Sequence, residues 1–165
     1  MPDDPLSRVI GFYKSREAIE EISGDYHQTA RSWLGTAQED VPGVENLIEG
    51  GFYRLAYKAA YDLFRNAAEA VVTYVGIRVT SSQGHHEAVF ALAHAVDESV
   101  NSPASGAFAG ARANQARQQR SSAEYVADDV AETTEADARR IYRWATEAIE
   151  AATSICDSSL PPISI

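Results

Sequence analysis

Apolar side chains recur every three to four residues along most of the chain, and this spacing predicts helices. The strongest pattern begins at Phe52 and ends near Gly76, about 24 residues or ~36 Å of helix. One apolar stripe consists of Phe52, Leu55, Ala56, Ala59, Leu63, Ala67, Ala70 and Tyr74, and a second of Tyr53, Tyr57, Tyr61, Phe64 and Ala68. Because so much of its circumference is apolar, we expect this helix at the centre of a bundle or at a subunit interface.

Shorter periodic segments surround this central helix. Asp25 is a favourable N-cap for a helix that we expect to continue to about Glu39, before the Pro42-Gly43 break. Further helices are predicted over about 16–22, 85–99, 111–125 and 135–154. The last of them begins at Thr134, three residues before an acidic side chain, as in a capping box. Strand signals are weak, and 77–84 is predicted as a loop.

The predicted fold class is all-α: an antiparallel up-and-down bundle of four to five helices joined by short connections. Its 165 residues fit one domain. We assign residues 1–14 to a flexible leader, residues 15–158 to a single bundle domain and residues 159–165 to a tail. The tail is predicted to be non-helical because Pro161 and Pro162 cannot continue a helix.

Charge and composition exclude several classes of protein. With 14 Lys and Arg against 24 Asp and Glu, the formal charge is -10, which argues against a protein that coats duplex DNA. The single cysteine, Cys156, excludes an internal disulfide framework and a cysteine-rich zinc site. No apolar run approaches the ~20 residues needed to span a bilayer, and no signal-peptide pattern is present. We therefore expect a cytoplasmic protein with no membrane association.

The first candidate site is a group of arginines in the predicted 111–125 helix. Arg117, Arg120 and Glu124 are spaced i, i+3, i+7 and share one helix face, with Arg112 nearby. Guanidinium groups suit phosphate geometry, so the segment is a candidate nucleotide or RNA site. The alternative is a solvated face with intrahelical Arg–Glu pairs.

The second candidate is Arg65, which stands on the central helix between Asp62 and Glu69. A buried arginine needs a partner, and Glu124 across the bundle is another candidate for that role. Arg65 is then either part of a structural ion pair or a support for the site around Arg120. The spacing leaves both interpretations open.

The third candidate is the segment from Gly76 to His86, which contains Arg78. Gly84 precedes a predicted helix start, and backbone N–H groups at such a terminus bind anions. The helix dipole would keep a first-turn histidine such as His85 neutral and able to act as a base. The alternative is a capping loop with exposed histidines.

Metal and cofactor sites have weaker support. His94 and Glu98 are spaced i, i+4 with Glu87 on a nearby face, but no complete ligand motif accompanies them. Cys156 has no evident histidine partner, which argues against a cysteine nucleophile. We predict no metal and no cofactor.

Three stretches of the chain together resemble the HEPN domain family (higher eukaryotes and prokaryotes nucleotide-binding). They are the alanine-rich helix 56–70 with Tyr61-Asp62-x-x-Arg65, the segment from Gly76 to His86, and the stretch Arg117-Gln-Gln-Arg120-Ser-Ser-Ala-Glu124-Tyr125. The resemblance covers about residues 45–155 and is closest to small, often actinobacterial, members.

The resemblance implies an antiparallel helical bundle that usually forms a homodimer. Many members are metal-independent ribonucleases and often the toxins of toxin–antitoxin pairs, with a motif of Arg, four to six residues, then His. Here Arg120 is followed by Tyr125 where the motif has His. Tyrosine, with a pKa of about 10, is a poor general base at neutral pH.

We therefore hypothesise a HEPN-like protein that binds nucleotide or RNA phosphate, with ribonuclease activity lost or altered. Candidate catalytic residues are Arg120, Tyr125 and His85, and candidate binding residues are Arg117, Arg120, Glu124, Arg65 and Arg78. One alternative is an active metal-independent ribonuclease of the toxin type, with His85 or His86 supplying the imidazole. The other is a non-catalytic interaction module. Expected partners are a second copy of the chain, RNA or nucleotide, and an antitoxin or other protein.

Overall fold

The computed structural model of the protein describes residues 4–102, 105–124 and 132–165, the side chain of Glu124 excepted. Within these ranges the chain forms six helices and two short strands. In chain order they are α1 (Pro5–Lys14), β1 (Ile19–Glu21), α2 (Tyr26–Glu49), α3 (Tyr53–Tyr74), β2 (Ile77–Val79), α4 (His85–Val100), α5 (Gly110–Glu124) and α6 (Glu135–Cys156). The all-α prediction is confirmed.

The central helix predicted from the apolar pattern is α3. It packs mainly against α2 and α6, and α4 and α5 cover its remaining side. Its large side chains Tyr57, Tyr61 and Phe64 are almost completely buried. At the first turn Phe52 is 58% and Leu55 is 48% exposed, so no helix in the described ranges covers this end of the stripe, and the predicted alternative of a subunit interface there stays a prediction.

A two-stranded antiparallel ribbon replaces part of the predicted 16–22 helix and of the 77–84 loop. Its register pairs Ile19 with Val79 and Glu20 with Arg78. Ile19 and Val79 are buried, whereas Glu20 and Arg78 form a cross-strand ion pair. Strands of three residues are too short for an alternating pattern to stand out, which is why the sequence did not reveal them. The ribbon joins the start of α2 to the end of α3.

The segment predicted as a flexible leader contains α1. Asp4 is its N-cap and accepts a hydrogen bond from the backbone N–H of Ser7 at 3.3 Å, and Pro5 takes the first helical position. The helix packs on α4 and buries Ile10. Two signals in the sequence mark this helix: the Asp4-Pro5 start and the i, i+3, i+4, i+7 spacing of Leu6, Val9, Ile10 and Tyr13, which pack against the core.

The predicted end of α2 at Pro42-Gly43 is also wrong, because the helix continues to Glu49. Pro42 lacks the N–H that would bond the carbonyl of Gln38. Val44 and Ile48, beyond the proline, are both buried, and their packing keeps the last turns helical.

The predicted helix caps are confirmed at Asp25, which accepts from the N–H of Gln28, and at the Thr134–Asp137 capping box of α6. The tail is not helical, as predicted, and lies against the ribbon end of the molecule. There the N–H of Ile163 donates to the carbonyl of Val75 at 3.1 Å. None of the helices in the described ranges has both the length and the apolar character that crossing a bilayer requires.

Candidate functional site

The candidate site lies where α3, α4 and α5 meet, and two arginines share a carboxylate there. A guanidinium nitrogen of Arg120, on α5, is 3.8 Å from Asp62 on α3. The Nε of Arg65, one turn further along α3, is 4.0 Å from the same carboxylate oxygen. The Arg120 guanidinium also stands over the ring of Tyr61, 5.2 Å from its centroid. Arg65 and Arg120, far apart in the sequence, are therefore neighbours.

Arg117 completes this group, which we call the arginine cluster: Arg65, Arg117 and Arg120. Arg117 is one turn before Arg120 on α5, and its guanidinium is 3.7 Å from Glu87 on α4. The side chains of Arg65, Arg117 and Arg120 are 28%, 41% and 26% exposed. The cluster is therefore reachable from solvent but only partly hydrated, and partial desolvation strengthens the binding of an anion.

His86 adjoins the arginine cluster. Its Nδ1 is 2.9 Å from the hydroxyl of Tyr61. Burial lowers the pKa of His86 below its usual 6.5, and the positive charges of Arg65, His85 and Arg120 lower that pKa further. His86 is therefore neutral at pH 7. Burial raises the pKa of Tyr61, so the phenol stays protonated at that pH.

Two tautomers of His86 satisfy its contact with Tyr61. If the Tyr61 hydroxyl donates to Nδ1, the imidazole proton is on Nε2 and that nitrogen is a hydrogen-bond donor. If Nδ1–H donates to the Tyr61 oxygen, the Nε2 lone pair is available as an acceptor or a base. The same side chain can thus serve either phosphate binding or proton transfer.

His85, the histidine that the sequence favoured, has a different partner. Its Nε2 is 2.8 Å from the Glu69 carboxylate on α3. His85 and His86 each continue an apolar stripe of α4, so the apolar pattern alone does not distinguish them. Of the two histidines that the sequence offered as the imidazole, His86 is the one in contact with Tyr61 beside the arginine cluster.

Other predicted binding residues stand elsewhere or outside the described part of the chain. Arg78 is on β2 and bonds Glu20 across the ribbon, with Nε to Oε1 at 2.6 Å. Arg112 pairs with Glu147 on α6 and lies 5.7 Å from the Trp144 ring centroid. Tyr125 and the side chain of Glu124 lie outside the described residues, so their predicted roles and the proposed Arg65–Glu124 pair stay predictions.

A polar network positions α5 against its neighbours. The single proton of the Tyr57 hydroxyl, on α3, is shared between two acceptors, the Ala116 carbonyl at 3.2 Å and Gln119 Oε1 at 3.0 Å. Arg140 of α6 donates to the same Gln119 oxygen at 3.0 Å. Burial raises the pKa of Tyr57, so its hydroxyl remains a donor. These bonds set the position from which Arg117 and Arg120 reach the site.

The described residues contain no group of three or more His, Cys, Asp or Glu side chains arranged to hold a metal ion. His94 and Glu98 do approach each other, with 3.6 Å between Nε2 and Oε1, but they form only an i, i+4 pair. Burial raises the pKa of the Cys156 thiol to about 11, which leaves it a poor nucleophile at neutral pH.

In comparisons with known proteins, no family model, no curated protein and no solved structure matches this chain. The HEPN resemblance therefore stays a prediction from the residues quoted for it.

Proposed function

We propose that this protein is a HEPN-like helical protein that binds the phosphate of a nucleotide or of RNA at the arginine cluster, with ribonuclease activity lost or altered. The observation that carries the proposal is the convergence of Arg65, Arg117 and Arg120 beside a neutral histidine. Guanidinium groups from two helices can bind different oxygens of one phosphate.

The ion pairs within the cluster favour anion exchange. Asp62 is 3.8 Å from Arg120 and 4.0 Å from Arg65, longer than the 2.7–2.9 Å of a charge-assisted hydrogen bond. A phosphate oxygen at hydrogen-bond distance would therefore interact with both arginines more strongly than Asp62 does. Because Asp62 is 48% exposed, it can turn towards water when the anion binds.

The loss or alteration of catalysis is inferred from Tyr125, which stands where the resembled motif has histidine. A phenol can hydrogen-bond a phosphate or stack on a base, but it is a weak base at neutral pH. On this proposal the arginines bind the substrate and Tyr125 does not accept the ribose 2′-hydroxyl proton.

A second candidate function, an active metal-independent ribonuclease, is favoured by His86. Its imidazole is neutral at pH 7 and adjoins the arginine cluster. In the tautomer that donates Nδ1–H to Tyr61, Nε2 would accept the 2′-hydroxyl proton while Arg65 and Arg120 stabilise the charge on the phosphate. His86 would then replace the missing motif histidine from another helix.

The test measures binding and cleavage together. A labelled single-stranded RNA pool is incubated in EDTA with the parent protein and with Arg65→Ala, Arg120→Ala, His85→Ala and His86→Ala. Arg139→Ala is the matched control, because Arg139 also pairs with a carboxylate, that of Glu135, but lies on α6. The proposal expects binding that falls about tenfold or more in Arg65→Ala and Arg120→Ala, and no cleavage.

Each result assigns one function. Cleavage by the parent that His86→Ala abolishes and His85→Ala retains would establish the second candidate. Absence of both binding and cleavage would reject the two RNA functions and leave a non-catalytic interaction module. The homodimer and the protein partner remain part of the proposal, and sedimentation of the parent protein tests the dimer directly.

A further inference from the structure

A cavity of about 190 Å³ lies between α1 and the start of α4. Its lining includes Phe12, Tyr13 and Arg16 on one side and Ser81, Gln83, Gly84 and Glu87 on the other. The cavity adjoins the arginine cluster, because the Glu87 carboxylate that lines it is also 3.7 Å from Arg117. Pockets that bind drug-sized ligands begin at roughly 300 Å³. This cavity is smaller, so it has room for a ligand with one ring system.

The α1 side of the cavity offers stacking surfaces. The side chain of Phe12 is 49% exposed, and few other large apolar side chains in the described residues are exposed to this extent. The guanidinium carbon of Arg16 lies 3.6 Å from the Phe12 ring centroid, and the Tyr13 ring meets Phe12 edge-on at 5.0 Å. Aromatic rings and guanidinium planes are the groups on which proteins stack unpaired bases.

The opposite side offers hydrogen-bonding groups. Glu87 supplies two acceptor oxygens, and Gln83 supplies an amide. Gly84, the N-cap of α4, has no side chain to bond the N–H groups of the first turn, so these remain donors for a ligand. Burial and the nearby Glu87 charge both raise the pKa of Tyr13, which is consistent with this carboxylate facing the α1 side.

The charges favour a base in the cavity and phosphates outside it. Arg16 places a positive charge on the α1 side of the cavity, where it attracts the phosphates that flank a bound base. Glu87 inside the cavity would repel a phosphate but would accept N–H groups from a base, and guanine presents two adjacent N–H donors on one edge.

We propose that this cavity receives one nucleobase, guanine by preference, of a single-stranded RNA whose adjacent phosphate is bound by the arginine cluster. The inference rests on the proposed function and adds base recognition to it. Phe12 and Arg16, already stacked on each other at 3.6 Å, present one face of this pair to the base, Glu87 accepts the amino and imino hydrogens of the base, and the N-terminus of α4 donates to its carbonyl oxygen.

The experiment compares two fluorescent octanucleotides by anisotropy. One is octauridine with guanosine at the fourth position, and the other carries an abasic ribose there, so all phosphates are the same. The parent protein is expected to bind the guanosine RNA about fivefold or more tightly than the abasic RNA. Versions with adenosine, cytidine or uridine at that position are expected to bind less tightly than the guanosine RNA.

Variants assign this preference to the cavity. Phe12→Ala and Glu87→Gln are expected to bring the guanosine-to-abasic ratio close to one. Both side chains are substantially exposed, so the fold should tolerate the changes. Phe52→Ala is the matched control, since Phe52 is 58% exposed at the start of α3, and it is expected to keep the parent ratio.

The outcomes separate this inference from the proposed function. Equal binding of the two RNAs, lowered by Arg65→Ala, would overturn the base cavity and leave phosphate binding intact. A parent preference that Phe12→Ala and Glu87→Gln both retain would also overturn the cavity. No binding of either RNA would overturn the base cavity together with RNA binding at the arginine cluster.

Discussion

Helices α3 and α5 both line the arginine cluster, but different interactions hold them in the bundle. On α3 the buried residues include large side chains such as Tyr57, Leu63 and Phe64. The buried side chains described on α5 are alanines: Ala113, Ala116 and Ala123. Because alanine removes little apolar surface from water, burial stabilises the position of α5 much less than that of α3.

On α5, hydrogen bonds and ion pairs compensate for the small apolar surface that its alanines bury. Tyr57 and Arg140 both bond Gln119, and Arg112 pairs with Glu147. The arginines of the candidate site therefore stand on a helix whose position depends on hydrogen bonds and ion pairs. The comparison indicates that α5 can be displaced without unfolding the bundle, whereas α3 cannot.

The strongest test of this difference removes a core side chain from α3. Phe64 is completely buried, with its ring centroid 4.6 Å from that of Phe90. Phe64→Ala is expected to lower the free energy of unfolding by about 3–5 kcal/mol, from lost burial and the cavity left behind. Urea denaturation measures it, with Phe52→Ala as the exposed control. A cost below about 1 kcal/mol would contradict the central role of α3.

A smaller change loosens α5 alone. Tyr57→Phe keeps the buried ring but removes the bonds to Ala116 and Gln119. The expected loss of stability is about 1 kcal/mol, the usual net worth of a hydrogen bond, together with weaker RNA binding because Arg117 and Arg120 lose their fixed position. Denaturation and anisotropy on the same variant measure both. Unchanged RNA affinity would show that the Tyr57 bonds do not position the arginines.

Replacing Arg112 is expected to have a still smaller effect. Its ion pair with Glu147 is partly exposed, at 30% and 40% of the two side chains, so solvent screens it. Arg112→Gln should cost less than about 1 kcal/mol in unfolding free energy and lower the RNA affinity less than Tyr57→Phe does, because the pair is screened. Arg139→Gln is the control. A tenfold loss of RNA affinity in Arg112→Gln would place Arg112 in the binding site.

The last prediction concerns the pH dependence of stability. The pKa of His86 is lower in the folded state than in the unfolded chain, so the unfolded chain binds the proton more readily. This contribution to stability is fully present above the unfolded value of about 6.5 and is lost as the pH falls towards the folded pKa. Urea unfolding at pH 7.5 and 5.5 should show a smaller loss in His86→Gln than in the parent, with His94→Gln as the control. An equal loss in parent and His86→Gln would refute the partly buried, neutral state of this histidine.

The sequence predicted the long helices correctly where a sustained apolar spacing or a capping motif marks them, but α1, which carries both signals over a short length, was predicted as a leader. From Ala56 onwards the two apolar stripes of α3 face the interior of the bundle as predicted, because neighbouring elements cover most sides of this helix. The capping box at Thr134 set the start of α6. Pro42 was misleading, since local propensity ends a helix there while the packing of Val44 and Ile48 continues it. The ribbon was missed because its strands are too short to show a period.

The candidate site was predictable in part. Spacing alone places Arg117 and Arg120 on one face of α5, since they are one turn apart. Their distance from Arg65 depends on how α5 lies across α3, and polar links such as Tyr57–Gln119 set this without leaving an apolar pattern. The choice of His86 over His85 beside Tyr61 likewise depends on the rotation of α4, which two adjacent histidines do not reveal.

The β1–β2 ribbon has a consequence for how the chain folds. It joins residues 19–21 to 77–79, which are distant in sequence, although contacts in helical proteins are mostly local. Helices α2 and α3 lie antiparallel and connect through the tight turn at 50–52, so contacts can form successively from that turn outward. Each contact then closes a short loop, and the strands meet at little extra entropic cost. On this order the ribbon forms last, and it ties together the ends of α2 and α3 that lie farthest from the connecting turn.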